Sequence, residues 1–201
     1  MSSYILLFNA FLLGSIPFAY IISWMWTRID IRTLGSGNVG ATNVLRVVGV
    51  IPAILTLLCD AGKGVLAVAL ACNQGDLTLV ALCGIAVVLG HCYSPFLRFK
   101  GGKGMATAAG VAVFLMPLGC APLVVLFVLV VLVSRFVSLA SIIIAVMLPV
   151  MALVFNYPLQ YVWMSIALAI IVTFRHRENI KRLRNGTEGH ILEKKEKERQ
   201  I

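Results

Sequence analysis

The chain has 201 residues, 60% hydrophobic and 12% charged, with a mean hydropathy of +0.98. Soluble domains carry about 25% charged and about 45–50% apolar residues, so this composition excludes a soluble fold and predicts an integral membrane protein. In such a chain a formal net charge of +9 reports membrane topology or anionic lipid, and no nucleic-acid partner is expected.

Apolar runs occupy about 4–26, 47–72, 77–92, 105–118, 121–134, 137–155 and 159–174. A full span takes roughly 17–25 residues, so the two short runs leave open whether 105–155 holds two long helices or three. Charge decides by parity. With seven spans, Arg28, Arg32, Arg46, Arg98, Lys100, Lys103, Arg135 and the nine basic residues of 175–201 all fall on one side. The connections near 73–76, 119–120 and 156–158 hold no Lys or Arg. Six spans would put the basic tail outside, against the positive-inside rule. The expectation is an all-α integral membrane fold: seven transmembrane helices in a single domain over 1–201, with the N-terminus outside and the tail 175–201 cytoplasmic.

The first run has no cations before it, so it reads as a retained span rather than a cleaved leader. Gly14, Ser15 and Pro17 interrupt it. Pro117, Pro122 and Pro158 are expected at turns, and Pro149 is expected to kink its helix. The five cysteines have no regular spacing and read as packing residues.

"GSGNVGATNVLR", Gly35 to Arg46, is the first polar block. Gly35, Gly37 and Gly40 have dinucleotide-fingerprint spacing, with Asp60 twenty residues on, but no strand precedes them and Asp60 lies in an apolar run. What survives is a loop able to turn backbone N–H groups toward an anion. Ser36, Asn38, Thr42 and Asn43 add neutral hydrogen bonds, and Arg46 adds a charge-assisted one. The plain alternative is a polar turn with a positive-inside arginine.

"CDAGKG" sets Asp60 and Lys63 three residues apart inside a span, where each ionised group costs at least ~2.5–3.5 kcal/mol on insertion scales. They are either functional or pin their helix into the bundle. "GHCYSPFLRFKGGKGMATAAG" begins at Gly90. It fails the Walker spacing, since no glycine stands at Leu97 and no Ser or Thr follows Lys103. Gly101, Gly102 and Gly104 around Lys103 still suit an anion nest at a helix N-terminus. Arg135 is either interfacial topology or an anion ligand. In "FRHRENIKRLRNGTE", Phe174 to Glu188, a helix would put His176 and Asn179 on one face and let Glu178 pair with Arg182. His176 reads as a general base, a phosphate donor or simply an interfacial histidine. The end, 187–201, reads as a solvated helix or coil.

Scattered acids, no zinc spacing and no G-x-S-x-G elbow leave a metal-free anion site beside an apolar wall. A lipid-phosphate enzyme and an organic-phosphate transporter both fit. A transporter should show inverted repeats and a midplane site, and the sequence has no visible repeat.

The three blocks together, with "DAGKG" between the first two, resemble the signature blocks of the bacterial acyl-phosphate:glycerol-3-phosphate acyltransferase family over about residues 10–188. The resemblance implies transfer of an acyl chain from acyl phosphate to the 1-hydroxyl of sn-glycerol 3-phosphate. The products are lysophosphatidic acid and phosphate, in the first acylation of bacterial phospholipid synthesis. It implies a multi-pass enzyme of the bacterial cytoplasmic (inner) membrane, with its site facing the cytoplasm and no cofactor. Its partners would be the two substrates, membrane lipid and the enzyme that supplies acyl phosphate. By resemblance Ser36, Arg46, His176 and Asn179 are the catalytic set, and Glu188 a structural acid, as Asp60 is also taken to be. Gly35, Gly37, Asn38, Gly40, Thr42, Asn43, Lys63, Lys100, Gly101, Gly102, Lys103 and Gly104 are expected to bind substrate. Direct attack without an acyl-enzyme is expected, with His176 or a substrate phosphate oxygen taking the hydroxyl proton.

Overall fold

Breakers set the helix boundaries in the computed structural model, which describes residues 3–191; every regular element among these is helical. In chain order they are α1 (Ser3–Ser15), α2 (Phe18–Thr27), α3 (Ala41–Val47), α4 (Val50–Cys72), α5 (Leu77–Cys92), a 3₁₀ turn at Pro95–Leu97, α6 (Met105–Leu115), α7 (Pro117–Ser134), α8 (Val137–Val154), α9 (Leu159–Arg175) and α10 (Arg177–Arg184). Five stretches are long and apolar enough to cross a bilayer: Ser3–Thr27 with its break, Val50–Cys72, Leu77–Leu97, Pro117–Ser134 and Val137–Val154. Joined to α10 across a 57° bend, α9 makes a sixth.

Three boundaries depart from the sequence expectation. Residues 105–118 do not form one span: α6 stops at Leu115 after 11 residues, about 16 Å at 1.5 Å per residue, because Pro117 opens the next helix. Pro122 lies inside α7 rather than at a turn. The run at 47–72 is divided at Gly49, whose φ of 127° ends α3 and starts α4. Pro149 lies within α8, and Pro158 caps α9.

Small residues let the helices touch backbone to backbone, as in membrane bundles generally. A Cβ at Gly14 of α1 would strike the Val87 carbonyl of α5, and one at Gly64 of α4 would strike the Thr107 carbonyl of α6. Val68, Val87, Val88, Val111, Met164 and Leu168 fill the space between them, while Leu58, Leu132 and Val133 face outward as lipid-facing residues should.

The break after α1 takes the Ser15 and Ile16 carbonyls out of the helical ladder; Ile16 O keeps the Phe18 N–H of the turn, at 3.1 Å, and both find side-chain donors in the apolar interior. Ser94 Oγ donates to Ser15 O at 2.5 Å, and Lys63 Nζ to Ile16 O at 3.0 Å.

Long-range bonds then draw the polar blocks to one end of the bundle. Arg46 reaches the Gly189 and His190 carbonyls, Arg175 the glycine loop, Ser138 the Glu188 carboxylate, and Ile191 N–H the Arg135 carbonyl. A second, smaller core of Ile31, Val39, Val44, Ala53 and Leu97 underlies that end.

Candidate active site

The first glycine loop closes on itself. Gly35 and Gly37 hold φ of 60° and 68°, positions where a side chain is strained. Asn43, 1% exposed, accepts from Ser36 N–H at 2.9 Å and donates to the Ile31 and Leu34 carbonyls at 3.1 Å each. Gly37 N–H turns back to Leu34 O, Asn38 N–H to Ser36 Oγ, and Gly40 N–H to Asn38 O. Asn43, expected at the substrate, thus has both ends of its amide engaged in the loop. Ser36 is exposed, and Thr42 is half-buried on α3.

The second loop is glycine-rich for a different reason. Gly101 and Gly102 are buried, and a Cβ on either would collide with His91 or its neighbours. Their N–H groups donate to Cys92 O and His91 O at 3.2 and 3.1 Å. Arg175 donates to both glycine carbonyls, from Nη2 to Gly101 O at 2.8 Å and from Nε to Gly102 O at 3.1 Å, while its guanidinium lies 5.1 Å from the Tyr93 ring centre. The nest expected of Gly101 and Gly102 is therefore absent, because those two N–H groups hold the loop to α5. What the loop presents is Lys103, just ahead of the α6 N-terminus. Gly104 makes that turn with φ of 80°, and Lys100 is exposed.

Lys103 sits among Arg182, Arg46 and Arg175, with Glu188 as the nearby acid. Burial first, and then those arginines, push its pKa down to about 8, against the pull of Glu188. Four cations around one carboxylate make a site that favours anions. Arg46 donates twice through Nη2, to Gly189 O at 2.9 Å and His190 O at 3.2 Å, and its Nε is buried without a partner.

His176 lies between α9 and α10, 3% exposed. Its Nδ1 is 2.7 Å from Val172 O; a carbonyl only accepts, so Nδ1 carries the proton and Nε2 presents a lone pair. Burial, then the charge of Lys103, lowers its pKa to about 4. Asn179 donates to Glu188 Oε1 at 2.6 Å, leaving its own Oδ1 buried and unpartnered.

Glu188 accepts from Ser138 as well, at 2.7 Å, and Arg182 Nε is 2.7 Å from its Oε2. Burial alone would raise this carboxyl, but these bonds leave it lowered. The predicted Glu178–Arg182 pair does not form, because Arg182 turns to Glu188 and Glu178 faces Arg177 at 3.9 Å. The first residues of the predicted solvated tail are docked, as Glu188 and Ile191 show; 192–201 lie outside the described residues.

Two further expected residues lie within the bundle. Lys63 Nζ is 2.7 Å from Asp60 Oδ1, and His91 Nδ1 is 3.4 Å from the same oxygen. Arg175, Tyr93, Ser94 and His91 were not singled out from the sequence. Arg175 stands in a block of several arginines, and only the fold distinguishes it. Between α6, α7, α8 and α9 an apolar groove runs from Met105 and Val172 past Ala108, Ala112 and Leu168 to Leu148 and Val124. Met105 in its lining stands two residues after Lys103, and Val172 is the residue whose carbonyl holds His176.

The sequence matches the family model described as "Glycerol-3-phosphate acyltransferase" over residues 4–186. Glycerol-3-phosphate acyltransferase of Syntrophomonas wolfei is 48% identical over 189 residues, covering 94% of this chain and 97% of the relative. That of Shouchella clausii is 46% identical, covering 92% and 93%. The crystal structure of PlsY (YgiH), an integral membrane glycerol 3-phosphate acyltransferase, in its glycerol 3-phosphate form superposes with a TM-score of 0.90 at 38% identity, covering 94% of this chain and 96% of that one. Its lysophosphatidic acid form gives 0.89 at 37%, covering 94% and 95%.

Proposed function

The chain belongs to the glycerol-3-phosphate acyltransferase family, and on that premise we propose that this membrane acyltransferase moves an acyl group from acyl phosphate to the 1-hydroxyl of sn-glycerol 3-phosphate. One observation carries the reading: Lys103, among Arg46, Arg175 and Arg182, lies two residues before Met105, which with Val172 lines one end of an apolar groove. Cations suit two phosphates, and the groove suits an acyl chain that enters from the bilayer.

In this reading the cations overcome repulsion between two anionic substrates and hold the hydroxyl near the acyl carbon, where orientation alone can supply ~7–11 kcal/mol. The glycerol oxygen forms a bond to the acyl carbon as the bond from that carbon to the phosphate oxygen breaks. Inorganic phosphate leaves, and lysophosphatidic acid remains. The neutral His176 accepts a hydrogen bond from the hydroxyl at Nε2 and orients it. With a pKa of about 4 it is a weak base at neutral pH. A phosphate oxygen, whose second pKa is about 6, is the better final acceptor of the proton. Lys103 is the proposed contact to the phosphate of glycerol 3-phosphate, and Ser36, Arg46 and the buried Asn179 Oδ1 complete the proposed polar contacts. The Arg46 Nε and the Asn179 Oδ1, buried without partners, are the atoms a substrate would satisfy.

For topology we infer seven crossings with α6 as a short one, the N-terminus outside and the basic end in the cytoplasm of a bacterial inner membrane. The clustering of Arg28, Arg46, Arg98, Arg135 and Arg175 at helix ends and loops, against 73–76 and 155–158 without Lys or Arg, supports it.

The test is phosphate release by purified protein in detergent. Release that needs both acyl phosphate and glycerol 3-phosphate, and drops at least ~100-fold on Lys103→Ala, is the expected result. Release from acyl phosphate alone, or none with both substrates, would overturn the reading.

A further inference from the structure

Neither the chemistry above nor the anion site uses the buried group of Asp60, Lys63 and His91. Asp60 and Lys63 are 2% and 3% exposed in the middle of α4, and His91 closes α5 at 8%. Two acceptors face the Lys63 ammonium: the Asp60 carboxylate and the Ile16 carbonyl, which at the break after α1 has only the Phe18 N–H as its other donor. Such a cage repels a phosphate and attracts a cation, and the Lys63 ammonium already fills it.

The cage is connected to the site through one residue. His91 Nδ1 faces Asp60, its backbone carbonyl accepts from Gly102 N–H, and its ring leaves no room for a Cβ on Gly102. Gly102 also packs on the Val39 carbonyl of the first glycine loop. A small cavity bounded by Ile16, Val39, Asp60, His91, Ser94 and Gly102 marks where these parts meet.

We propose that Asp60, Lys63 and His91 form a positioning cluster for acyl transfer: Lys63 is a tethered cation plugging the helix break, and through Asp60 and the His91 ring it fixes the Gly101–Gly102 turn that carries Lys103. None of the three touches substrate. The proposal rests on the acyl-transfer reading, in which Lys103 binds glycerol 3-phosphate. It differs from a simple helix pin, because a pin should tolerate replacement of the whole pair by neutral groups.

The experiment compares wild type with Asp60→Asn/Lys63→Met, His91→Ala and His91→Asn, each first shown by a detergent melting curve to be folded. Folded Asp60→Asn/Lys63→Met is expected to raise KM for glycerol 3-phosphate about tenfold or more while KM for acyl phosphate moves less than about twofold. His91→Ala should do the same. His91→Asn, whose amide keeps a polar group facing Asp60, should recover a large part of the loss. Amide hydrogen exchange over residues 98–106 is expected to quicken in the double variant. Wild-type KM values with unchanged exchange in a folded double variant would overturn the proposal, as would equal weakening for both substrates. Should the double variant not fold, His91→Ala against His91→Asn decides by the same two readings. If wild type itself fails to turn over acyl phosphate, the acyl-transfer reading falls, and the exchange measurement still judges the positioning claim.

Discussion

The two glycine loops look alike in sequence and lean on different principles. At 35–40 glycine is needed first for backbone conformation, since Gly35 and Gly37 take left-handed φ on a turn stapled by Asn43, and at Gly35 an added Cβ would also meet the Asn43 side chain. At 101–102 glycine is needed for closeness, since the buried turn lies against His91 below and is gripped by Arg175 above. Both loops direct several N–H groups inward, to their own neighbours. The engaged glycine N–H groups make side chains the proposed anion contacts, and a glycine-rich stretch beside lysine signals close backbone packing as readily as an anion nest.

This contrast can be broken by substitution. The largest effect is expected at Gly102→Ala, where the added methyl has no space between the His91 ring and the Val39 carbonyl; kcat/KM measured in detergent should fall at least ~100-fold. Asn43→Ala should cost roughly 2–3 kcal/mol of stability, read as a lowered melting temperature, because it leaves the buried Ile31 carbonyl and the part-buried Leu34 carbonyl without this partner and unpins Ser36 N–H. Asn43→Asp keeps the acceptor for Ser36 and should lose less.

Gly37→Ala meets strain but little collision, with the Arg32 carbonyl 3.0 Å from the added atom, and should cost about 1–2 kcal/mol. A Gly37 variant more damaging to turnover than the Gly102 variant would reverse the comparison. The mildest test is pH. Lys103 loses its charge as pH rises through about 8 in the free protein, so KM for glycerol 3-phosphate should climb over that window. Lys103→Arg, which keeps its charge well beyond it, should flatten the climb. An alkaline rise unchanged by Lys103→Arg would assign it to another group.

Local patterns in the sequence announced most of the helices. Apolar runs fixed where α1, α5, α8 and α9 lie, and the glycine–proline interruption at 14–17 marked the broken first helix. What failed was local punctuation with two outcomes: Pro117 and Pro122 read alike, yet the first opens α7 and the second sits within it. The candidate site was legible as three blocks with a charge, but their wiring was not. Arg175 bonds to a loop some seventy residues away, and Arg46 to carbonyls at Gly189 and His190; backbone carbonyls carry no sequence signal. Lys63 drew attention as an expensive charge three residues from Asp60, and only the fold reveals its second partner, the Ile16 carbonyl at the broken helix.

The central claim is that the Lys103 side chain, rather than the loop backbone, holds the phosphate of glycerol 3-phosphate. Calorimetric binding of glycerol 3-phosphate near pH 7, comparing wild type with Lys103→Ala and with Lys181→Ala on the exposed face of α10, tests it most directly. The account predicts that Lys103→Ala weakens binding at least ~30-fold, about 2 kcal/mol as expected for a charge-assisted contact, while Lys181→Ala stays within about twofold. Wild-type affinity in a folded Lys103→Ala protein would contradict it.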